Sequence, residues 1–558
     1  MVYFSLVASC FILVATAAQS IKQRPTSRNT SAAPIVVQSS QYFDGDNGNW
    51  STIAIRVGTP EQTVRVFVST NSPITAVVQP AGCEAKANPT GVPVNCVDSR
   101  GGTFDSTKSS TWNRRGHFEL NGGNGVGFEA NLGYSLNLNY GLDVIALGYR
   151  DGVGSQRLSN QTVAGFNLPD PFYLGFLGIG VEPVIYKEFG NYSAPSFFEQ
   201  LAIDGLIPGL SWSYTAGAAY RLSAGQSMQL IFGGYDASRF IPNNVHFTLK
   251  EDSTRDIVVG VQSILYAKRE TNLTTLLPDP IYAFVESTDP NIWLPIESCL
   301  LFEKAFGLTW DESVSEYSLN STQHNTLTRS NPTVTFRLAA STTGGATVDI
   351  ILPFQSFVHQ YPSVPNATYQ FPLQRASNPS QYTFGRIFLQ EAYLTVDYDQ
   401  GNFSLSQCTF IDGAPSRVMS IPGTSASNES GSGTGDVPNV PTGESPRRPI
   451  PIIVSGVVVP TIFIIIICAV GFWFWKKKQR DKKRKAGESS VGSAVSVGVD
   501  ETAMNNPTTG RLVEVDGRDK TRELPELPEL PEHDASHKLA SNDVTHELAS
   551  NDVPHELV

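Results

Sequence analysis

The sequence predicts an all-β globular region built as two similar lobes that face each other. Three observations predict it. The first is a duplicated stretch: Phe67-Val68-Ser69-Thr70-Asn71-Ser72-Pro73 recurs in pattern as Phe284-Val285-Glu286-Ser287-Thr288-Asp289-Pro290. Each copy follows an apolar, β-branched run, Val64-Arg65-Val66 before one and Ile281-Tyr282-Ala283 before the other, and so reads as a buried strand entering a tight polar loop. The second is composition: Gly, Pro, Ser and Thr abound beside 30 Phe and 19 Tyr, which favours strands and turns over long helices. The third is spacing: across residues 42–408 short strand-like runs are separated by Gly, Asn, Asp and Pro. Helical periodicity is clearest in two places, 196–203 and 294–306, the latter with Cys299, Phe302, Ala305 and Phe306 in phase.

Taken in order, residues 1–20 read as a signal peptide, an apolar run over 6–14 followed by the small-residue site Ala15-Thr16-Ala17-Ala18. Residues 21–41 are an N-terminal extension, 42–238 the first lobe and 239–412 the second. Residues 413–449, rich in Ser, Thr, Gly and Pro, read as a flexible stalk. A single transmembrane helix is expected over 450–475; its apolar stretch 452–475 would be about 36 Å long as a helix against a hydrocarbon core of about 30 Å. Trp473 and Trp475 sit at an interface position, and Lys476-Lys477-Lys478-Gln479-Arg480-Asp481-Lys482-Lys483-Arg484-Lys485 forms a basic stop that places the C-terminal side in the cytoplasm. The expectation is a type I protein of the plasma membrane or another secretory-pathway membrane. The tail, 476–558, is polar and low in aromatics, so disorder is expected there. Its three Glu-Leu-Pro units and its short near-repeat beginning at His537 and His546 read first as drifted low-complexity sequence, with docking of a cytosolic partner as the alternative.

Two features agree with that topology. Asn-x-Ser/Thr sequons begin at Asn29, Asn49, Asn160, Asn191, Asn272, Asn320, Asn366, Asn402 and Asn428, all before the span. Outside the signal and the span the cysteines form an even set, Cys83, Cys96, Cys299 and Cys408. Disulfides suit this compartment, and of the three pairings Cys83–Cys96 with Cys299–Cys408 is the expected one. The net charge of −12 and a pI near 5.2 argue against nucleic acid as a partner.

No His-Glu-x-x-His, Gly-x-Ser-x-Gly or metal-spaced Cys/His cluster occurs, and no cofactor is expected. The glycine-rich run 122–127 lacks the Lys-Ser/Thr of a phosphate loop and reads as a hairpin turn. His117, His246, His324 and His359 are scattered and read as surface or core positions.

Six blocks stand in a fixed order: Ile55-Arg56-Val57-Gly58-Thr59-Pro60-Glu61-Gln62 leading into the first loop; Thr103-Phe104-Asp105-Ser106 through Ser109-Ser110-Thr111-Trp112; Phe176-Leu177-Gly178-Ile179-Gly180; Leu230-Ile231-Phe232-Gly233-Gly234-Tyr235-Asp236; the second loop from Phe284; and Tyr382-Thr383-Phe384-Gly385-Arg386-Ile387-Phe388-Leu389. Together they resemble the pepsin-like aspartic peptidases over most of residues 42–408, and among these the membrane-anchored, fungal cell-surface type. The resemblance implies a bilobal pepsin-like aspartic peptidase fold. It also implies a cleft in which two Asp, one from each lobe's Asp-Thr/Ser-Gly loop, share a proton. The ionised one activates a water while the protonated one polarises the scissile carbonyl.

Carried onto this chain, Ser69 stands at the first Asp position and Glu286 at the second. Thr70 and Ser287 keep the hydroxyls that tie the loops together, Asn71 and Thr288 replace the glycines, and Tyr134 is the nearest match to the family's flap tyrosine. The last block has Arg386 where the family has Asp after Gly. A serine hydroxyl cannot hold half of a shared proton at cleft pH, and Glu286 is one methylene longer than Asp. A general acid or base is worth about 10²–10⁴ in rate, so losing both Asp removes the usual chemistry. The expected function is therefore a cell-surface glycoprotein with an inactive or impaired peptidase-like ectodomain, binding a peptide or cell-wall polymer in its cleft. Two alternatives stand beside it: an acid endopeptidase using Glu286 with a non-standard partner, for which Asp289 is the nearby carboxyl, and a surface sensor or spacer that signals through its tail.

Overall fold

The computed structural model of the chain describes residues 32–84, 95–120, 132–134, 136–152, 154–268, 273–360 and 369–423. The expected signal peptide, the stalk beyond residue 423, the membrane span, the tail, the 122–127 turn and the sequons at Asn29, Asn272, Asn366 and Asn428 lie outside the described residues. Among the described residues no helix is long and apolar enough to cross a membrane.

Strands dominate, as the composition requires. One eight-stranded sheet carries the first half of the chain, with Gln62–Ser69, Phe176–Gly178 and Thr75–Val78 side by side at its centre. A second eight-stranded sheet carries the later half around Val258–Ala267, Ile281–Val285 and Thr383–Phe384. A six-stranded sheet joins them. It takes Ile35–Val37, Gln229–Phe232 and Ser211–Thr215 from one half and Ala392–Asp397, Asn402–Gln407 and Phe247–Thr248 from the other. The junction is antiparallel, with Trp212 opposite Val396. Ile35–Val37 falls inside the stretch expected to be an extension; it is a strand because Ile35 and Val37 alternate inward with Val36 outward.

The duplication is visible in the register. Gln62–Ser69 pairs in parallel with Phe176–Gly178, placing Ser69 opposite Gly178, and Ile281–Val285 pairs in parallel with Thr383–Phe384 just before Gly385. Each loop then passes hard against the glycine of its partner segment. A Cβ on Gly178 would lie 2.3 Å from the Ser72 carbonyl oxygen and 2.2 Å from that of Ile74. On Gly385 it would lie 2.4 Å from the Asp289 carbonyl oxygen and 2.3 Å from that of Asn291. No side chain fits at either position, which is why both lobes need a glycine there.

Both expected helices are present. Ser196 caps Phe197–Ile203 by accepting from the Glu199 N–H at 3.1 Å. Ile296–Phe306 buries Cys299, Phe302 and Phe306. A third, Ser321–Ser330, has no apolar stripe and buries only Leu327, so periodicity could not announce it. Its signal is the cap: the Asn320 side chain accepts from the Gln323 N–H at 2.9 Å. Of the sequons within the described residues, Asn49, Asn160, Asn191 and Asn320 are exposed and Asn402 is half-buried.

Cys83 and Cys96 form a disulfide. The expected Cys299–Cys408 bridge is not there: both are buried free thiols. Each occupies its own niche. The Cys299 Sγ faces the carbonyl oxygens of Leu294 and Gln374 at 3.6 and 3.5 Å, while that of Cys408 lies 3.4 Å from Thr215 Oγ1. Burial pushes both thiols up to about 12. Thiol mapping of the native chain should therefore find Cys83 and Cys96 linked, with Cys299 and Cys408 alkylated only after unfolding; a native Cys299–Cys408 peptide would contradict this arrangement.

Candidate functional site

The two twin loops meet at the floor between the lobes, and their hydroxyls cross. The Thr70 N–H donates to Ser287 Oγ at 3.1 Å, and the Ser287 N–H donates to Thr70 Oγ1 at the same distance. The Ser287 hydroxyl then donates to the Val68 carbonyl oxygen at 2.6 Å. Thr70 and Ser287 thus perform the tying role expected of them, at positions buried from water.

Ser69 and Glu286 both lie in this floor, fully buried, but each is bonded elsewhere. Ser69 Oγ accepts from the Ser72 N–H of its own loop at 3.0 Å and from the Thr288 hydroxyl across the boundary at 2.6 Å. The Glu286 carboxyl curls back onto its own loop: Oε2 accepts from the Thr288 N–H at 2.5 Å and Oε1 from the Asp289 N–H at 2.7 Å. The length of the Glu286 side chain lets it fold back to these two donors. Burial pushes Glu286 up to about 8, and the neighbouring Asp289 carboxyl pushes the same way.

Asp289 is the second acid of the site and sits in the same loop as the first. It is fully buried and also held above its usual range by desolvation. The Asn291 N–H donates to its Oδ1 at 2.5 Å, and the Tyr134 hydroxyl donates to its Oδ2. Tyr134 therefore reaches the floor from the other lobe, its ring edge-on to Phe172 at 5.8 Å.

Arg386 packs against the second loop and the Phe67 ring. It is 4 % exposed, and its guanidinium donates to the Ser287 carbonyl oxygen from Nε at 2.9 Å and to that of Thr288 from Nη2 at 2.7 Å. It stacks 4.0 Å above the Phe67 ring centroid and 4.9 Å from that of Trp50. Burial lowers its pKa, opposed by the charges of Tyr214, Glu286 and Asp289. The Arg386 charge opposes the desolvation that raises Asp289. The signal for it was in the sequence, a lone basic residue directly after Gly385 in an otherwise apolar block, but nothing in that block says which groups it meets.

Space over the floor is uneven. Around Phe67, Tyr134, Phe172, Thr288 and Arg386 only about 30 Å³ is open, room for a water or two. Further along, a cavity of about 440 Å³ opens between the lobes, lined by Asp46, Asp170 and Tyr173 from one side and Asn291, Trp293 and Glu316 from the other. Burial lifts Asp46 to about 6. Among the described residues no cluster of metal-ligating side chains is present.

Two outcomes test this electrostatic arrangement. Replacing Arg386 by Met should cost about 1–3 kcal/mol per carbonyl in denaturant unfolding, because the buried Ser287 and Thr288 carbonyl groups lose their donor. The raised pKa of Glu286 favours its neutral form in the folded chain. Its contribution to stability is therefore complete below its ordinary value of 4.5 and disappears as pH rises through about 8. Asp46 and Asp256, lifted to about 6 and about 7, act in the same direction, so the readout is a difference. The loss of thermal midpoint between pH 4.5 and 8 should be smaller in Glu286→Gln than in the unmodified chain.

The family model of the eukaryotic aspartyl proteases matches residues 52–408, more than half of the chain, and spans both loops, Tyr134 and Arg386. No curated protein matches the sequence. The two lobes, their paired loops with crossed hydroxyls and the glycines that let each loop pass are the frame of that family, and the chain belongs to the eukaryotic aspartyl proteases.

Proposed function

We propose that this chain is a catalytically inactive, membrane-anchored surface glycoprotein whose peptidase-like ectodomain holds a peptide or polymer between its lobes. The observation that carries the reading is the bonding at the two dyad positions. Peptide hydrolysis of this type needs two carboxyls facing each other across one proton, so that one is ionised and the other is not. Here the first lobe supplies a hydroxyl already accepting two hydrogen bonds, and the second supplies a carboxyl whose two oxygens close its own loop. Tyr134 and Arg386 crowd the remaining space. The cavity of about 440 Å³ beside this plug is where a ligand segment fits, in contact with both lobes. The surface location rests on the signal-like N-terminus, the one-sided sequons and the apolar stretch followed by lysines and arginines. The tail is then the part available to a cytosolic partner.

A second reading draws on one specific observation: Glu286 and Asp289 are adjacent buried carboxyls with raised pKa values, a pairing that can share a proton. In that case the chain is an acid endopeptidase with both acids in one loop.

One assay decides between them. Full-length chain purified in detergent is incubated with unfolded protein from about pH 3 to 6, with and without a statine-type transition-state analogue. The expected outcome is no inhibitable cleavage. Cleavage that the analogue blocks, and that Glu286→Gln or Asp289→Asn abolishes, overturns the inactive reading and establishes the second.

A further inference from the structure

The hairpin of Val184–Tyr186 and Tyr192–Ala194 stands apart from the large sheets as a two-stranded ribbon, with Tyr186 opposite Tyr192. A ribbon of two strands is only marginally stable by itself. At its tip Gly190 and Asn191 both turn left-handed, with φ of 71° and 57°. Asn191-Tyr192-Ser193 is a sequon. Phe189, two residues before Asn191, is 43 % exposed, and Tyr192, directly after it, is 38 % exposed.

These rings are held in place from one side. Tyr186 meets Phe189 edge-on at 6.5 Å and stacks with Tyr192 at 6.4 Å. Arg115, from the strand Asn113–Glu119, lays its guanidinium over all three, 4.7 Å from the Phe189 centroid, 5.0 Å from that of Tyr192 and 5.5 Å from that of Tyr186. Its Nε makes no hydrogen bond, so stacking fixes the cation there. The result is an oriented aromatic platform, still partly wet, around a glycan acceptor. At the other sequons within the described residues, the large apolar side chains next in sequence, Trp50, Leu158, Leu319 and Phe403, are buried.

We propose that Asn191 carries an N-linked glycan whose first N-acetylglucosamine packs on Phe189 and Tyr192 and closes the hairpin tip. In the transfer step the Asn191 Nδ2 gives up a proton and bonds to the anomeric carbon of a lipid-pyrophosphate-linked oligosaccharide. The lipid pyrophosphate departs with the electron pair of the broken C–O bond. Once attached, the sugar is tethered beside the rings at high effective concentration, so a weak contact suffices. One face of a pyranose presents C–H groups that pack against aromatic rings, removing apolar surface from water while the hydroxyls stay solvated. This inference rests on the secretory location read under the proposed function.

The test uses the full chain made in a eukaryotic secretory host and purified in detergent, with glycopeptide mapping of every sequon and thermal unfolding. Asn191 should be occupied. Ser193→Ala, which removes the sequon but keeps Asn191, should lower Tm by about 2 °C. Phe189→Ala should lower it similarly, and the double variant should lose less than the sum of the two. Trimming each glycan to a single N-acetylglucosamine should leave Tm unchanged. An unmodified Asn191 beside occupied sequons elsewhere, or additive losses in the double variant, overturns the proposal and leaves the secretory reading standing. An absence of glycan at every sequon overturns both.

Discussion

Two backbone N–H groups and two hydroxyls, crossed between Thr70 and Ser287, are the constraint on which the rest of this molecule depends. They join loops from lobes built 217 residues apart, and they are buried, so each donor must find its acceptor inside the protein. That requirement fixes how closely the loops approach. Within each lobe the loop passes so close to its parallel partner segment that glycine is required at 178 and 385. The six-stranded sheet shared by both halves then keeps the lobes in the relation the crossing demands.

Within that frame the two loop centres can carry Ser69 and Glu286 without loss of the fold. A buried polar group costs about 1–3 kcal/mol if left unpaired, so residues replacing the dyad persist only if they are satisfied locally. Ser69 and Glu286 both are. Ser69 fills its place through the Ser72 N–H and the Thr288 hydroxyl, a residue that stands where the family has glycine. Glu286 turns its carboxyl onto the Thr288 and Asp289 amides. Arg386 supplies donors to the carbonyl groups of Ser287 and Thr288, and its charge opposes the desolvation of Asp289. The substitutions at 69, 286, 288 and 386 thus form one mutually supporting set rather than four separate losses.

Closure over the floor follows from the same set. Tyr134 ends on Asp289, and Asp289 has a free oxygen for it because the other accepts from the Asn291 amide. The cleft is narrow there and open beside it, where acidic, amide and aromatic side chains from both lobes face a common space.

Sequence alone determined the two-lobed β architecture, because the Phe-Val…Pro twins and the ordered blocks are local patterns that any strand-and-tight-loop must show. It determined two helices and the residue types at the loop centres, while Cys83–Cys96 was the expected choice among three pairings and the tying role of Thr70 and Ser287 came from the family resemblance. Tertiary structure decided the rest. Cys299 and Cys408 form an even pair in sequence yet face different carbonyl and hydroxyl groups, because burial of a thiol depends on which elements pack around it. The polar helix Ser321–Ser330 is held by its cap and has no apolar stripe to read. Asp289, Tyr134 and Arg386 are 97 or more residues apart in sequence, pairwise, and only folding brings the tyrosine hydroxyl onto the carboxyl and the guanidinium under its loop. The twin stretches could show which residue types stand at the loop centres; where those polar groups turned for partners was settled by three-dimensional proximity, which residue spacing does not encode.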